Sequence, residues 1–109
     1  MPIAPGSFKV QSKYFIGTFD ALGVEVKIEG SFLQTIQGVN VPHAVVEFND
    51  MSDFVGSYSI LSTVPPSFIG IDTIDLKFED GSGRSLKVIG TIPGGLDQRY
   101  AVTGSGKWH

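Results

Sequence analysis

The sequence predicts an all-β protein, built as a single antiparallel β-barrel of about eight strands. The first observation is that apolar and polar residues alternate along most of the chain, so that every second side chain falls on one face of a strand. The second is that turns containing glycine, proline or aspartate separate these alternating runs. A β-sandwich is the alternative, but a barrel is favoured because closure removes the exposed edges of a large sheet.

The first half of the chain predicts four strands. The clearest of them alternates Val24, Val26 and Ile28 with charged residues, which is typical of a strand buried on one face. Residues 20–23 form the turn between the first two strands, and Gly-Val-Asn at 38–40 separates the last two. The predicted strands span 7–19, 23–30, 31–37 and 41–49.

The first predicted strand is long enough to require a bend. Phe8 and Val10 fall on one face of it. Phe15 and Phe19 fall on the opposite face, although they are equally apolar. A β-bulge adds one residue and so moves the side chains that follow it to the other face. We therefore expect a bulge near 14–17.

The second half of the chain predicts four more strands. Ile74, Leu76 and Phe78 alternate with charged residues, and Asp-Gly-Ser-Gly at 80–83 then gives the strongest hairpin signal in the sequence. Pro-Gly-Gly at 93–95 separates the next pair of strands. The predicted strands span 54–62, 70–79, 84–92 and 98–104.

The segment 50–58 allows two interpretations. It begins with several polar residues that are candidate N-caps of a short helix, namely Asn49, Asp50 and Ser52. Gly56 lowers helix propensity and the run is short, so a strand is favoured. We expect at most one short helix in this segment.

Length and composition bound the class of protein. A chain of 109 residues predicts one domain with a modest core. The net charge is -3 and the basic residues are scattered, which gives no basic stripe for nucleic acid. The chain has no cysteine, which excludes disulfides and thiolate metal sites. It shows neither a signal peptide nor an apolar run of membrane-spanning length, so we expect a cytoplasmic protein without a membrane partner.

The segment TGSGKWH at 103–109 contains the GSGK core of a phosphate-binding loop. A working loop needs a glycine where Ala101 stands, a serine or threonine where Trp108 stands, and a helix after the lysine. The segment meets none of these requirements. It is therefore predicted to be a strand end, and no nucleotide or other cofactor is expected.

The sequence assigns no catalytic or metal-binding residue. His43 and Glu47 fall on the same face of a strand, an arrangement that general-base catalysis uses. The apolar residues of that strand lie on its other face, so we expect both side chains to face solvent. Turn formation explains Asp50 and Asp80, and the aspartates do not follow the spacing of a calcium loop. A non-enzymatic role is favoured, and an enzyme stays an open alternative.

Several polar and aromatic side chains are predicted to point into the barrel. Interior positions of a small barrel are usually aliphatic, so phenols and an amide there indicate a partly polar cavity that binds a ligand. The alternative is that they lie near the barrel ends, where a tyrosine ring packs and its hydroxyl reaches water. The five candidate ligand-binding residues are Ser12, Tyr14, Gln34, Tyr58 and Tyr100.

The segment 63–69 is predicted to be an apolar loop, stiffened by two adjacent prolines. Such a loop either closes the mouth of its own barrel or docks on a partner. Docking is slightly favoured, with Phe68 and Ile69 as the interface residues. This predicts a homo-oligomer.

The closing segment QRYAVTGSGKW, at 98–108, is similar in style to the last strands of avidin-type barrels and of allene oxide cyclase or dirigent-type barrels. An aromatic residue followed, after two further residues, by Thr-Gly is common there. The resemblance concerns architecture, so it implies a barrel and assigns no function.

Three functions stay open. The favoured one is a small binding barrel whose tyrosine-lined cavity takes an apolar or aromatic molecule. The second is a structural or interaction protein, such as a phage, mobile-element or assembly component. The third is a cyclase or isomerase that acts by positioning its substrate. A ligand-sized cavity lined by tyrosines favours the first or third, and a filled core favours the second.

Overall fold

The computed structural model describes residues 2–60 and 67–109, apart from the side chain of Gln37. Strands account for 70% of the structure and helix for 4%, which confirms the all-β prediction. The strands are β1 (Ile3–Ala21), β2 (Val24–Glu47), β3 (Gly56–Ile60), β4 (Phe68–Gly70), β5 (Thr73–Glu79), β6 (Ser85–Thr91), β7 (Tyr100–Ala101) and β8 (Gly104–Trp108).

The strands form a closed antiparallel barrel of seven strands, with two further strands outside the ring. β2 enters the ring twice, because its first half pairs with β8 and its last residues pair with β6. β8 pairs with β3, β3 with β5, and β5 with β6, which completes the circuit. β1 runs antiparallel to both halves of β2, and β4 and β7 extend from β5 outside the ring. This confirms the predicted barrel.

β2 must bend sharply to occupy two places. A straight strand of its 24 residues would be about 80 Å long, since each residue of a strand adds about 3.3 Å. The whole molecule measures only 36 Å along its longest axis. The bend explains how one hairpin of β1 and β2 supplies so much of the barrel wall.

The hairpin of β1 and β2 turns at Leu22 and Gly23. Both residues have positive φ, 54° and 85°, the combination that a two-residue type I′ turn requires. Asp20 fixes the turn, because its Oδ1 accepts a hydrogen bond of 2.9 Å from the Gly23 N–H. The turn predicted at 20–23 is confirmed.

The predicted turn at 38–40 is wrong, because β2 continues through it. Val39 lies opposite Val10 of β1, and its side chain is buried in the core. Pairing with β1 and burial of this valine keep the segment extended despite its glycine and asparagine. β2 therefore joins three predicted strands into one: 23–30, 31–37 and 41–49.

β1 contains the predicted bulge, slightly earlier in the chain than expected. The pairing register with β2 shifts on both sides of Ser12, which has a positive φ of 60°. Before this point the buried side chains include Phe8 and Val10, and after it they include Phe15 and Phe19. The irregularity changes which sequence positions face inward, so that all four side chains reach the core.

β1 has two arms, one before Ser12 and one after it, and the two arms meet at Gly6. This residue faces the backbone of Thr18 and Phe19, and a Cβ at Gly6 would overlap the Thr18 carbonyl oxygen. Only a residue without a side chain allows the two arms to come this close. Gly6 therefore lets β1 fold back on itself.

Aromatic rings fill the interior of the barrel. Phe15 contacts Phe8 and Phe32, with ring centroids 5.4 and 4.8 Å away. Phe78 lies 6.2 Å from Phe15 and 6.1 Å from Trp108, and so connects two groups of rings. Each of these five side chains is at most 4% exposed. Aromatic pairs of this kind contribute about 0.5–1.5 kcal/mol beyond the burial of their area.

Two glycines make room for the ring of Phe15. Gly30 of β2 lies directly opposite Phe15, and Gly106 of β8 lies directly opposite Gly30. A Cβ at Gly106 would stand 3.1 Å from the Phe15 ring, and one at Gly30 would stand closer still. The glycines of GSGK thus belong to the barrel wall rather than to a loop.

The last predicted strand, 98–104, is the least accurate prediction. The chain forms the short β7 and then β8, which runs on to Trp108. Trp108 lies opposite Ile28 and is 1% exposed, so its burial extends the strand through the glycine-rich segment. β4 was not predicted, and β5 begins at Thr73 rather than at residue 70.

The segment 50–58 contains a short helix and the start of a strand. A single 3-10 turn spans Met51–Phe54, and β3 begins at Gly56. Among the candidate caps, Asp50 is the N-cap, and its carboxylate accepts a hydrogen bond of 3.0 Å from the Ser52 N–H. The Asp53 carboxylate in turn accepts one of 3.1 Å from the Asp50 N–H, which completes a capping box. Residues 61 and 62 of the predicted strand lie outside the described residues.

Arg84 ties this 3-10 turn to the β5–β6 hairpin. Its guanidinium donates hydrogen bonds to the carbonyl oxygens of Ser52, at 2.7 Å, and Val55, at 3.2 Å. It also pairs with the Asp80 carboxylate, which accepts two further hydrogen bonds from Ser82. Burial alone would raise the pKa of Asp80, but the hydrogen bonds from Arg84 and Ser82 outweigh it and lower the pKa to about 2.

Candidate functional site

The five predicted ligand residues have different environments in the described structure. Tyr58 is buried, at 2% exposure, and Tyr100 and Gln34 are half-buried. Ser12 and Tyr14 lie at the surface, where Tyr14 is 60% exposed. The predicted inward orientation is wrong for these last two, because the bulge at Ser12 changes which positions of β1 face the core.

Tyr58 and Gln34 both have partners within the fold. The Tyr58 hydroxyl donates a hydrogen bond of 2.7 Å to the carbonyl oxygen of Asp53. Burial raises the pKa of Tyr58, although the nearby Arg84 guanidinium acts in the opposite direction. The Gln34 amide donates a hydrogen bond of 2.7 Å to the carbonyl oxygen of Ala101. Each of the two side chains therefore joins separate segments of the chain.

A groove of about 710 Å³ lies on the outside of the barrel, over β1, β2 and β8. Its volume falls within the range of about 300–1,000 Å³ that is typical of sites for drug-sized molecules. The barrel interior, where a tyrosine-lined cavity was expected, is occupied by the rings described above. The lining of the groove includes Lys9, Tyr14, Ile16, Glu29, Lys107 and His109.

Three neighbouring strands place the groove residues in rows. Tyr14 of β1 lies opposite Ser31 of β2, and Ile16 lies opposite Glu29. Glu29 lies in turn opposite Lys107 of β8. Directly opposite residues have their Cβ atoms about 4.5–5.5 Å apart on one face of a sheet. The rows therefore bring apolar, acidic and basic side chains together on rigid strands.

Two large apolar side chains of the groove are exposed. Tyr14 is 60% exposed and Ile16 is 43% exposed, and they lie two residues apart on the same strand. Leu33, two residues beyond Ser31 on β2, is 81% exposed. Clustered apolar side chains at a surface mark interaction sites more often than single ones do. The groove therefore presents two exposed apolar side chains on one strand.

Basic side chains outnumber acidic ones in the groove. Lys9, Lys107 and His109 line it together with one carboxylate, that of Glu29. The His109 Nε2 lies 3.8 Å from the Glu29 Oε1, and both side chains are 54% exposed. The side chains of the two lysines and of Glu29 together carry a net charge of +1. The arrangement favours an anionic group in the groove.

His43 lies in a second outer groove, of about 410 Å³, that also contains Asp75. The Asp75 carboxylate lies 3.5 Å from the Lys77 ammonium and 3.8 Å from that of Lys87. Glu47 lies opposite Lys87 and is half-buried, whereas His43 is exposed. Within residues 2–60 and 67–109, no three His, Asp or Glu side chains are grouped as a metal site would need.

The predicted interface pair has two different environments. Ile69 is fully buried in the core of its own chain, so it is not available to a second subunit, contrary to the prediction. Phe68 is half-buried, and the Arg99 guanidinium lies 3.8 Å from the centre of its ring. The remainder of the predicted loop, 63–66, lies outside the described residues.

Sequence patterns alone did not identify the groove. Alternation places Glu29 and Lys107 on outward faces, which is a usable signal for exposure, but it places Ile16 on the same face as Phe8 and Val10. It does not show that β8 inserts beside β2, or that Lys9 approaches from the other arm of β1. Those contacts depend on strand order and on the bend, which are properties of the tertiary structure.

In the part of the chain that the structure describes, no helix combines the length and the apolar character needed to cross a bilayer. The C-terminal segment that resembles avidin-type and cyclase-type strands forms β7 and β8. Comparison with protein-family models, with curated proteins and with solved structures finds no significant match to this chain.

Proposed function

We propose that this protein is a binding barrel that recognises its ligand on the outer surface, in the groove over β1, β2 and β8. The proposed ligand joins an apolar or aromatic group to an anionic group. One observation carries the proposal: exposed Tyr14 and Ile16 share a single concave surface with Lys9 and Lys107. The ring-filled interior argues against the internal, tyrosine-lined cavity that the sequence predicts.

The two kinds of contact have different tasks. Removing apolar surface from water contributes about 25 cal/mol per Å², so contact with the Tyr14 ring and the Ile16 side chain supplies most of the affinity. Charge pairs at an exposed surface contribute only about 0.2–1 kcal/mol each. The lysines therefore select the sign of the ligand's charge and add less to the strength of binding.

A small aromatic sulfonate tests the proposal. We expect 2-naphthalenesulfonate to shift the backbone amide resonances of the groove strands in an NMR titration. The neutral 2-naphthalenesulfonamide should bind more weakly, and inorganic sulfate alone should cause no saturable shift, because it lacks the apolar group. Lys107→Gln should weaken sulfonate binding about two- to fivefold, the size of one exposed charge pair.

The matched control is Lys87→Gln, which removes a lysine from β6, away from the groove. It should leave sulfonate binding unchanged. Equal binding of the sulfonate and the sulfonamide would contradict the role of the lysines. Saturable shifts confined to strands other than β1, β2 and β8 would contradict the groove itself, and would leave the interaction-protein alternative.

A further inference from the structure

His109 is held at the margin of the groove by backbone pairing. Its N–H donates to the carbonyl oxygen of Lys27, and its carbonyl oxygen accepts from the Lys27 N–H, each at 2.9 Å. These bonds continue the antiparallel ladder between β8 and β2 by one more residue. The backbone of His109 is therefore held beside β2, and the imidazole Nε2 lies 3.8 Å from the Glu29 carboxylate.

The ionisable groups around this imidazole come from three strands. β8 contributes Lys107, which lies two residues before His109 on the same face and opposite Glu29. β2 contributes Glu29 and Lys27, and the Lys27 ammonium lies 3.6 Å from the Glu25 carboxylate. β1 contributes Lys9 and the Tyr14 phenol at the groove wall. Glu29 is thus the carboxylate that faces His109, and Lys107 lies opposite it on the neighbouring strand.

We infer that His109 is a pH-dependent specificity residue of this groove, whose protonation strengthens the binding of an anionic ligand. The inference rests on the proposed function. Histidine is the side chain whose ordinary pKa, about 6.5, places its charge change between pH 5 and 8. A protonated imidazole adds one positive charge beside the ligand. It also pairs with Glu29, which offsets the negative charge of the one carboxylate in the groove lining.

The test measures the dissociation constant of 2-naphthalenesulfonate at about pH 5.5 and about pH 7.5, on either side of the ordinary histidine pKa. The sulfonate stays anionic throughout this range, so the ligand's own charge does not change. We expect the wild-type protein to bind about two- to fivefold more tightly at the lower pH, as one added surface charge pair would produce. His109→Gln should reduce the ratio of the two constants to about one.

The other histidine of the chain provides the control. His43 lies in the second groove, so His43→Gln should keep the full ratio. Equal wild-type constants at both pH values would overturn the inference and leave the proposed function standing. A ratio that persists in His109→Gln would also overturn it. Failure of the sulfonate to bind at either pH would instead refute the proposed function, and the inference with it.

Discussion

At the scale of single residues, the Asp80 carboxylate links a tight turn to a distant part of the chain. It accepts hydrogen bonds from the Ser82 N–H at 2.9 Å and from the Arg84 N–H at 3.1 Å, which shape the β5–β6 turn. It also pairs with the Arg84 guanidinium, which reaches the carbonyl oxygens of the 3-10 turn. One carboxylate therefore positions Arg84 for the contact between the β5–β6 hairpin and the 3-10 turn, two elements that lie far apart in the sequence.

Asp80→Asn should lower stability at neutral pH and flatten its dependence on acid. The folded-state pKa of Asp80, about 2, lies below the ordinary value of 3.8. The carboxylate thus stabilises the fold above about pH 4, and this contribution is lost as the pH falls from about 4 to about 2. Urea unfolding at several pH values measures the effect. Asp97→Asn, at an exposed position before β7, is the control, and an Asp80→Asn curve parallel to that of the wild type would contradict the prediction.

At the scale of secondary structure, glycines decide where strands come unusually close. Gly6 admits the carbonyl of Thr18 across the fold of β1, and Gly30 admits the carbonyl of Ser105 from β8. Neither glycine has a positive φ. Glycine is required at both positions because the neighbouring backbone lies too close for a side chain, and not because of the glycine's own backbone conformation. A side chain there meets main-chain atoms, which move less easily than side chains.

Gly6→Ala should therefore destabilise the protein by about 1–3 kcal/mol, the usual cost of forcing extra atoms into a closely packed place. Gly81→Ala is a matched control, because a Cβ at Gly81 would meet no atom within 4 Å. Thermal unfolding of the two variants compares them directly. A melting temperature for Gly6→Ala equal to that of Gly81→Ala would show that the arms of β1 do not touch at this point.

Elements whose pattern is local were predictable from the sequence. The turn at 20–23 and the hairpin around 80–83 depend on residues within the turn itself, and both were correctly identified. The continuity of β2 through Gly38 depends on its partner β1, and the course of β8 depends on burial of Trp108. Residue propensity and alternation carry no information about contacts between residues far apart in the sequence. The predictions for these two elements were therefore wrong.

The candidate site was harder to predict than the fold. A single irregular residue, Ser12, reverses the face on which Tyr14 lies, so a small error in placing the bulge moved the expected site from outside to inside. Tyr14 lies in the outer groove instead of the barrel interior. Its location required the register between β1 and β2.

At the scale of the whole molecule, the core is one continuous cluster of buried apolar side chains that includes Trp108. Its ring lies 5.9 Å from Phe19 and 5.1 Å from Phe54, and its Nε1–H has no hydrogen-bond acceptor among the described residues. A buried donor without a partner costs about 1–3 kcal/mol. The unpartnered indole N–H therefore offsets part of the stabilisation that the ring contacts of Trp108 provide.

Trp108 is the only tryptophan of the chain, so its fluorescence reports on the core as a whole. We expect emission at short wavelength in the native protein, because the ring is 1% exposed, and a shift to longer wavelength on unfolding. A single cluster in a single small domain should unfold in one step. The fluorescence transition in urea should coincide with that of far-UV circular dichroism, and separate midpoints would mean that the barrel and its centre unfold independently.

The position of β8 between β2 and β3 also has a consequence for protein synthesis. Both neighbours precede it in the chain, and roughly 40 residues separate the end of β3 from its start. At a synthesis rate of about 5–20 residues per second, the facing edges of β2 and β3 lack their partner β8 for about 2–8 s. Unpaired edges are templates for association with other chains. During synthesis the facing edges of β2 and β3 are therefore both exposed before β8, the strand that pairs with each of them, has been made.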